Sequence, residues 1–246
     1  MSLLGPIAAA LHIPTVIVGS LLVTFLLIGM GLVVRARLAR ADGGVLPDEG
    51  LTLRNVSELL VEMLSGLAQQ NMGPHWRRYF PIIGSIFFFI LTANLIGLIP
   101  GIAAQGEADG GATRNANVTW AWALISFLAH QYVGIKEHGF SYINHFLGPS
   151  LFDVHVGGRH VHVRALFPLY APIELISQVS RLFTLAVRLL ANMFADHLVV
   201  SVWIGLVALG VPAIFMGLGV MVAFLQAYVF AMLSMIYIGL ALEEAH

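Results

Sequence analysis

A stripe of polar residues runs along an apolar stretch near the end of the chain and is centred on Arg188. On a helix with about 100° per residue, several polar positions fall within roughly 80° of Arg188. Ionisable groups inside a membrane cost at least about 2.5–3.5 kcal/mol each, so four of them on one membrane helix would indicate a functional site. The polar residues of this stripe, besides Arg188, are Glu174, Ser177, Gln178, Arg181, Thr184, Asn192 and Asp196.

The charges on this stripe could instead pair with one another. Glu174 and Arg181 share a face of the helix and could belong to an internal salt-bridge ladder that joins helices. Arg188 has no acidic residue three or four positions away, so no carboxylate of the same helix lies directly beside it. We therefore expect its partner on another helix or another chain.

The following apolar segment carries neutral hydrogen-bonding side chains. Gln226 and Tyr237 are eleven residues apart, close to three helical turns, so they share one face of a helix. Such groups can fasten two helices together or hold water beside the charged stripe. The sequence leaves both roles open.

The composition places these segments in a membrane. Of 246 residues, 59% are hydrophobic and only 10% are charged, which is too little charge to cover a soluble surface. The net charge of −1 gives no indication of a nucleic-acid partner. Without cysteine the chain can form neither disulfides nor thiolate metal sites. The first ten residues contain no Lys or Arg, so we expect a retained membrane helix at the N-terminus rather than a signal peptide.

Five apolar segments predict an all-α membrane protein with a single membrane domain over residues 1–246. Three of these segments match upright helices, since one crossing needs about 20 residues. The last two are too long for an upright crossing, so they predict a long, tilted helical hairpin that is broken near Gly210 and Pro212. The upright helices are predicted at 13–34, 80–102 and 118–135, and the tilted hairpin at 171–242.

Residues 51–74 predict a different kind of helix. Leucine, valine and methionine recur there at helical spacing, opposite Glu58, Glu62 and Gln69. This pattern is typical of an amphipathic helix on a membrane surface. The predicted apolar face consists of Val56, Leu59, Leu60, Met63, Leu64 and Leu67.

The basic residues of the loops predict the orientation. Nine of them fall in loops on one side of the predicted helices, whereas the opposite side has only Arg114. By the positive-inside rule the nine mark the cytoplasm, which puts the N-terminus outside and the C-terminus in the cytoplasm. The nine are Arg35, Arg37, Arg40, Arg54, Arg77, Arg78, Lys136, Arg159 and Arg164.

Residues 152–163 alternate around a Gly-Gly pair, which is typical of a β-hairpin with a two-residue turn, here in a cytoplasmic loop. Pairing residue 156 with residue 159 would put Asp153, His155, His160 and His162 on one face. Three histidines and an aspartate could bind Zn²⁺. A two-stranded hairpin alone is a poorly fixed metal site, so we favour a merely polar face and expect no metal or other cofactor.

Residues 186–198, Ala-Val-Arg-Leu-Leu-Ala-Asn-Met-Phe-Ala-Asp-His-Leu, resemble the signature of subunit a of the rotary F-type ATP synthases. The resemblance implies a non-catalytic, proton-conducting stator subunit in a bacterial inner membrane. It also implies a ring of c subunits, the peripheral-stalk subunit b and the rest of the complex as partners within the lipid bilayer. Four further stretches agree in order and spacing, namely residues 94–100, 117–119, 173–177 and 225–230.

The resemblance also implies roles for individual residues. In this family two aqueous half-channels reach a carboxylate on the c-ring from opposite sides of the membrane. Arg188 matches the essential arginine between them, and Glu174 matches an acid of the cytoplasmic half-channel. Asn192, His197 and Gln226 match polar positions near the ring or the outer half-channel. Asn115, Asp196 and Tyr237 complete the predicted proton path, and helical spacing adds a secondary polar stripe of Ser177, Gln178 and Arg181.

Two positions depart from the family pattern, both on the outer route. Asn115 stands where the family often has Asp, and Gly219 stands where many members have Glu or His opposite the position of His197. We hypothesise that Asp196 and His197, which are adjacent near the outer end of the helix, together replace the missing pair. The alternative is that Asp196 only pairs electrostatically with Arg188 or contacts water on the outer side.

Two other functions would also use ionisable residues in membrane helices. A proton-coupled secondary transporter would have paired repeats and broken helices, which this sequence lacks. An intramembrane metalloprotease would have a motif such as His-Glu-x-x-His, which is absent although the chain has ten histidines. We expect His130 to be a core or interface residue rather than a ligand.

Overall fold

The computed structural model describes residues 4–40, 50, 52–99, 115–139, 152–156, 159–163, 167–206 and 211–243. Nearly all of these residues are helical, as the sequence predicts. A short 3-10 turn, Gly73–His75, joins the third helix to the fourth. The helices are α1 Leu4–Leu11, α2 Thr15–Arg40, α3 Leu53–Met72, α4 Trp76–Leu98, α5 Ala116–His138, α6 Phe167–Leu206 and α7 Val211–Glu243.

Several helix ends differ from those of the apolar segments that predict them, and α4 ends at Leu98, before the predicted end at residue 102. Helix α2 continues to Arg40, six residues past the predicted end at residue 34. A helix does not stop where the hydrocarbon stops, because its backbone hydrogen bonds are internal and arginine is a good helix former. Helix α1 is not predicted by hydropathy at all, since its eight residues are far too short for a crossing.

Within the described residues, three helical stretches are long and apolar enough to cross a membrane. They support a multi-pass membrane protein, while the predicted number of five membrane helices stays a prediction. The stretches are Thr15–Ala39, Leu53–Leu98 and Ile214–Leu242, and the second of them includes both α3 and α4.

Helices α6 and α7 have the lengths expected of a tilted hairpin. Their 40 and 33 residues correspond to roughly 60 and 50 Å at about 1.5 Å per residue. The hydrocarbon core of a bilayer is only about 30 Å thick, so helices of this length are accommodated by tilting.

The core lies where α4, α5, α6 and α7 meet. Large side chains from α4 and α7 fill it, among them Phe87, Ile90, Phe230 and Met235, all essentially inaccessible to solvent. Small residues let helices approach closely elsewhere in the core. At Gly239 of α7, an added β-carbon would run into the backbone carbonyl of Asn71 in α3.

The apolar face of α3 is buried against other helices over only part of its length. Leu64 is fully buried and Leu60 packs partly against the core, because the second half of α3 lies on α4 and α7. Val56 and Leu59 nearer its start are exposed, Leu59 to 66%. The predicted location of α3 on the cytoplasmic membrane surface stays a prediction.

The hairpin forms with the register that the alternating sequence predicts. Strands β1 Phe152–Val156 and β2 Arg159–Val163 pair antiparallel, with Asp153 opposite His162 and His155 opposite His160. The side chains of both strands lie outside the described part of the chain, and so does the zinc hypothesis that depends on them.

Candidate functional site

Arg188 lies at the border between the buried and exposed faces of α6. Leu185 and Leu189 on one side of the helix are buried in the core, whereas Val187 and Phe194 are exposed. The Arg188 side chain itself is half-buried. No described side chain forms an ion pair or hydrogen bond with its guanidinium, although the nearby Asp196 side chain is not among those described. At Arg188 the predicted stripe therefore lies at the edge of the α6 contact rather than in the core.

A hydrogen-bonded chain joins three residues of α5 and α6 near the start of α6. Oε1 of Gln178 lies 3.1 Å from Nε2 of His130, and Nε2 of Gln178 donates to Oε1 of Glu174 at 2.8 Å. Gln178 and His130 are only 3% and 2% exposed. The structure thus connects Glu174, a predicted proton-path residue, to a histidine on a different helix.

Arg181 contacts α7 through an aromatic ring. Its guanidinium carbon lies 5.2 Å from the centre of the Tyr237 ring, within the range of a cation–π interaction. The Tyr237 ring in turn lies 6.2 Å from the ring of His130. Tyr237 therefore stands between a residue of the secondary polar stripe and the histidine of α5.

One helical turn beyond Arg188, Asn192 and Gln226 fasten α6 to α7. Nδ2 of Asn192 donates to Oε1 of Gln226 at 2.6 Å. Gln226 is 3% exposed, and its Nε2 has no hydrogen-bond acceptor among the described residues. This pair therefore acts as a clasp between helices and leaves one buried amide donor for water or a partner.

The predicted outer route is only partly described. Asn115 caps the N-terminus of α5, where its side-chain oxygen accepts a hydrogen bond from the backbone N–H of Asn117 at 2.8 Å. Gly219 is buried within α7. Asp196 and His197 belong to α6, but the structure does not describe their side chains.

Two buried polar residues on α5 contact polar side chains of α6 and α7, and sequence reasoning predicted neither contact. Ser126 is buried, and its hydroxyl lies 2.7 Å from the hydroxyl of Ser234 on α7. His130, expected only as a core or interface residue, follows it by four residues on the same face of α5. Two polar residues four positions apart in an apolar helix would have been the signal, because they must share one face.

Asn94 of α4 is another buried polar residue. It is fully inaccessible, and neither atom of its amide group has a partner among the described residues. Buried amides without protein partners typically bind an internal water molecule. Asn94 belongs to one of the stretches that resemble the family, so we regard it as a further polar residue of the candidate site.

Outside the apolar segments, Glu137 links the ends of α4 and α5. Its Oε1 accepts hydrogen bonds from the Tyr79 hydroxyl at 2.6 Å and from Nη1 of Arg78 at 3.0 Å. The Tyr79 hydrogen bond, helped by the positive charge of Arg78, lowers the pKa of Glu137 below its usual value of 4.5. The carboxylate is therefore ionised at physiological pH.

Curated relatives of this chain come from bacteria and cover most of its length. ATP synthase subunit a of Bdellovibrio bacteriovorus is 40% identical over 220 residues, 89% of this chain and 87% of that protein. ATP synthase subunit a 1 of Syntrophotalea carbinolica is 40% identical over 92% of this chain and 84% of its own length. ATP synthase subunit a of Sorangium cellulosum is also 40% identical, over 92% of this chain and 81% of its own.

A family model covers the same region. The model described as ATP synthase A chain matches residues 17–239, which include α2 through most of α7 and every residue of the polar stripe. The matched range contains the motif around Arg188. The chain therefore belongs to the ATP synthase A chain family.

Proposed function

We propose that this chain is the proton-conducting stator subunit a of a bacterial F-type ATP synthase. In this proposal it provides two aqueous half-channels to the carboxylates of the c-ring, and Arg188 separates them. Membership of the family supports the assignment. The observation that carries the mechanism is a half-buried Arg188 with no anionic partner among the described side chains.

An arginine in an apolar helix needs an anion, because a membrane-embedded charge without a partner is costly. A carboxyl group on a neighbouring rotating subunit would satisfy Arg188 only while it faces α6. The exposed apolar residues beside Arg188, Val187 and Phe194, form a surface against which such a subunit can pack. Among the described side chains no anion pairs with Arg188, and the face beside it is exposed and apolar. Together these two observations support a ring of carboxylates as the partner.

The same charge explains how proton flow is coupled to rotation. A carboxyl group that faces lipid stays protonated, because burial raises its pKa. Opposite a guanidinium the ionised form is favoured, so the proton leaves towards the cytoplasmic side. Arginine does not lose its own proton in proteins, so Arg188 also blocks direct passage between the two half-channels. One elementary charge that crosses the membrane releases about 2.3 kcal/mol per 100 mV, which drives the ring.

The two half-channels use different residues in this proposal. Glu174, connected to Gln178 and His130, would belong to the cytoplasmic route. Asn192 and Gln226 would lie next to the ring, with the free amide donor of Gln226 available to water. Asp196 and His197 would supply the titratable groups of the outer route. The chain itself would hold no nucleotide, so ATP would be made elsewhere in a complex that includes subunit b.

The proposal is tested by replacing Arg188 with Ala in the assembled complex. We expect proton-driven ATP synthesis in membrane vesicles to be abolished and the passive proton leak to rise, because the fixed charge between the half-channels is lost. Arg181→Lys is the matched control on the same helix. It keeps a cation that can lie over the Tyr237 ring, so most activity should remain. Coupled ATP synthesis in Arg188→Ala vesicles would disprove the assignment.

A further inference from the structure

His130 is the buried end of the hydrogen-bonded chain that leads to Glu174. It lies on α5, 48 residues before Gln178, and is 2% exposed. The Phe127 ring lies edge-on to its imidazole at 5.1 Å, and the Tyr237 ring lies at 6.2 Å. These two rings flank the imidazole, and its Nε2 lies at the amide oxygen of Gln178.

The chemistry of the chain fixes which atoms donate. The NH₂ group of Gln178 donates to a carboxyl oxygen of Glu174, so the amide oxygen of Gln178 faces His130. Nε2 of His130 therefore carries a hydrogen and donates it. The direction of every hydrogen bond runs from His130 through Gln178 to Glu174.

We propose that His130 is a positioning residue, which locks the amide of Gln178 in the orientation that presents an N–H donor to the Glu174 carboxylate. The inference rests on the proposed function, in which Glu174 belongs to the cytoplasmic half-channel. Without the Nε2–H donor, the amide of Gln178 can rotate by half a turn and present its oxygen to the carboxylate. An amide oxygen would then face Glu174 in place of the N–H donor, and the hydrogen bond from Gln178 that positions Glu174 would be lost.

This role does not require His130 to change its charge. The neutral tautomer with hydrogen on Nε2 and the imidazolium ion both donate from the same atom. Among the described residues, the Tyr237 ring of α7 lies 6.2 Å from the imidazole. The charged or titratable groups that contact the neighbours of His130 are Arg181, which lies over the Tyr237 ring, and Glu174, which is bonded to Gln178.

The test compares two substitutions at position 130 in the intact ATP synthase. His130→Phe keeps a ring of similar size but removes the donor. His130→Gln places an amide N–H near the former position of Nε2. We expect the initial rate of proton-driven ATP synthesis to fall about two- to tenfold in His130→Phe and to recover in His130→Gln, because one buried hydrogen bond is lost and restored.

Ser126→Ala is the matched control on α5. It removes another hydrogen bond between helices, to Ser234, without touching Gln178 or Glu174. The rate should stay near that of the wild type, once the amount of assembled complex is measured and equalised. If His130→Gln is as slow as His130→Phe, a donor alone is insufficient and the positioning role is overturned.

A double substitution separates this inference from the proposed function. In a Glu174→Gln background, His130→Phe should cause no further loss, because His130 acts only through Glu174. Additive losses would overturn the positioning role while leaving the half-channel intact. If Glu174→Gln alone has the wild-type rate, Glu174 is not on the cytoplasmic route, and that part of the proposed function fails instead.

Discussion

Asn192 on α6 donates a hydrogen bond to Gln226 on α7 at 2.6 Å, one helical turn beyond Arg188. The bond spans 34 residues of sequence and joins the two long helices at the level of the arginine. It fixes the distance between Arg188 and the polar face of α7. A change in this bond should therefore affect coupling more than folding.

We predict that the two amides act as a pair. Asn192→Leu and Gln226→Leu should each slow proton-driven ATP synthesis about two- to tenfold, and the double variant should be no slower than the worse single variant. The exchanged pair, Asn192→Gln with Gln226→Asn, keeps the combined side-chain length and should recover part of the rate. Fully additive losses in vesicle assays would show that the two residues act independently.

A second prediction concerns the pH dependence of the Tyr79–Glu137 contact. The pKa of Glu137 is lowered in the folded protein, mainly by the Tyr79 hydrogen bond, so the contact stabilises the fold above the unfolded value of 4.5. This stabilisation is lost as the pH falls below 4.5 through the folded pKa. Tyr79→Phe should therefore lower the unfolding temperature of the purified complex at about pH 7, and this difference should shrink at about pH 3.

Glu137→Gln provides the control for this second prediction. It removes the titrating group, so the effect of Tyr79→Phe in that background should not vary with pH in this range. A difference in unfolding temperature between the wild type and the Tyr79→Phe variant that grows towards low pH would contradict the assignment of the lowered pKa to this contact.

A third prediction follows from the close approach of α7 to α3. Gly239→Ala would place a methyl group against the backbone carbonyl of Asn71, and backbone cannot move aside as a flexible side chain can. We expect a loss of about 1–3 kcal/mol in stability, measured as a lower unfolding temperature or poorer assembly. Gly66→Ala on α3 has open space around it and should be neutral or slightly stabilising. Equal effects of the two substitutions would contradict the close packing.

A fourth prediction tests the outer route. Asp196→Asn keeps the shape of the side chain and removes the titrating group, so proton uptake from the outer side should slow if Asp196 relays protons. Introducing a carboxyl group with Gly219→Glu should restore part of the rate, because many family members have an acid or histidine at that position. Unchanged proton flux in Asp196→Asn vesicles would remove Asp196 from the route and leave His197 with bound water.

The polar stripe on α6 could be predicted because it depends on a single helix. Residues that recur every three or four positions along an α-helix share a face wherever the helix lies, because one turn takes about 3.6 residues. The sequence alone therefore puts Arg188, Glu174 and Asn192 on one face. The hairpin register of β1 and β2 was predictable for the same reason, since alternation and a two-residue turn are local properties.

The partners of that stripe were decided by the tertiary structure alone. His130 meets Gln178, Asn192 meets Gln226 and Arg181 meets Tyr237 across separations of dozens of residues, and no local pattern specifies which faces of two helices meet. Packing also decides that Val56 and Leu59, near the start of α3, are exposed. The apolar pattern of α3 extends beyond the part of the helix that α4 and α7 cover. The periodicity of each helix is a local property of its residues. The packing of all the helices together decides which polar groups find partners within the chain and which, like Arg188, have none among the described side chains.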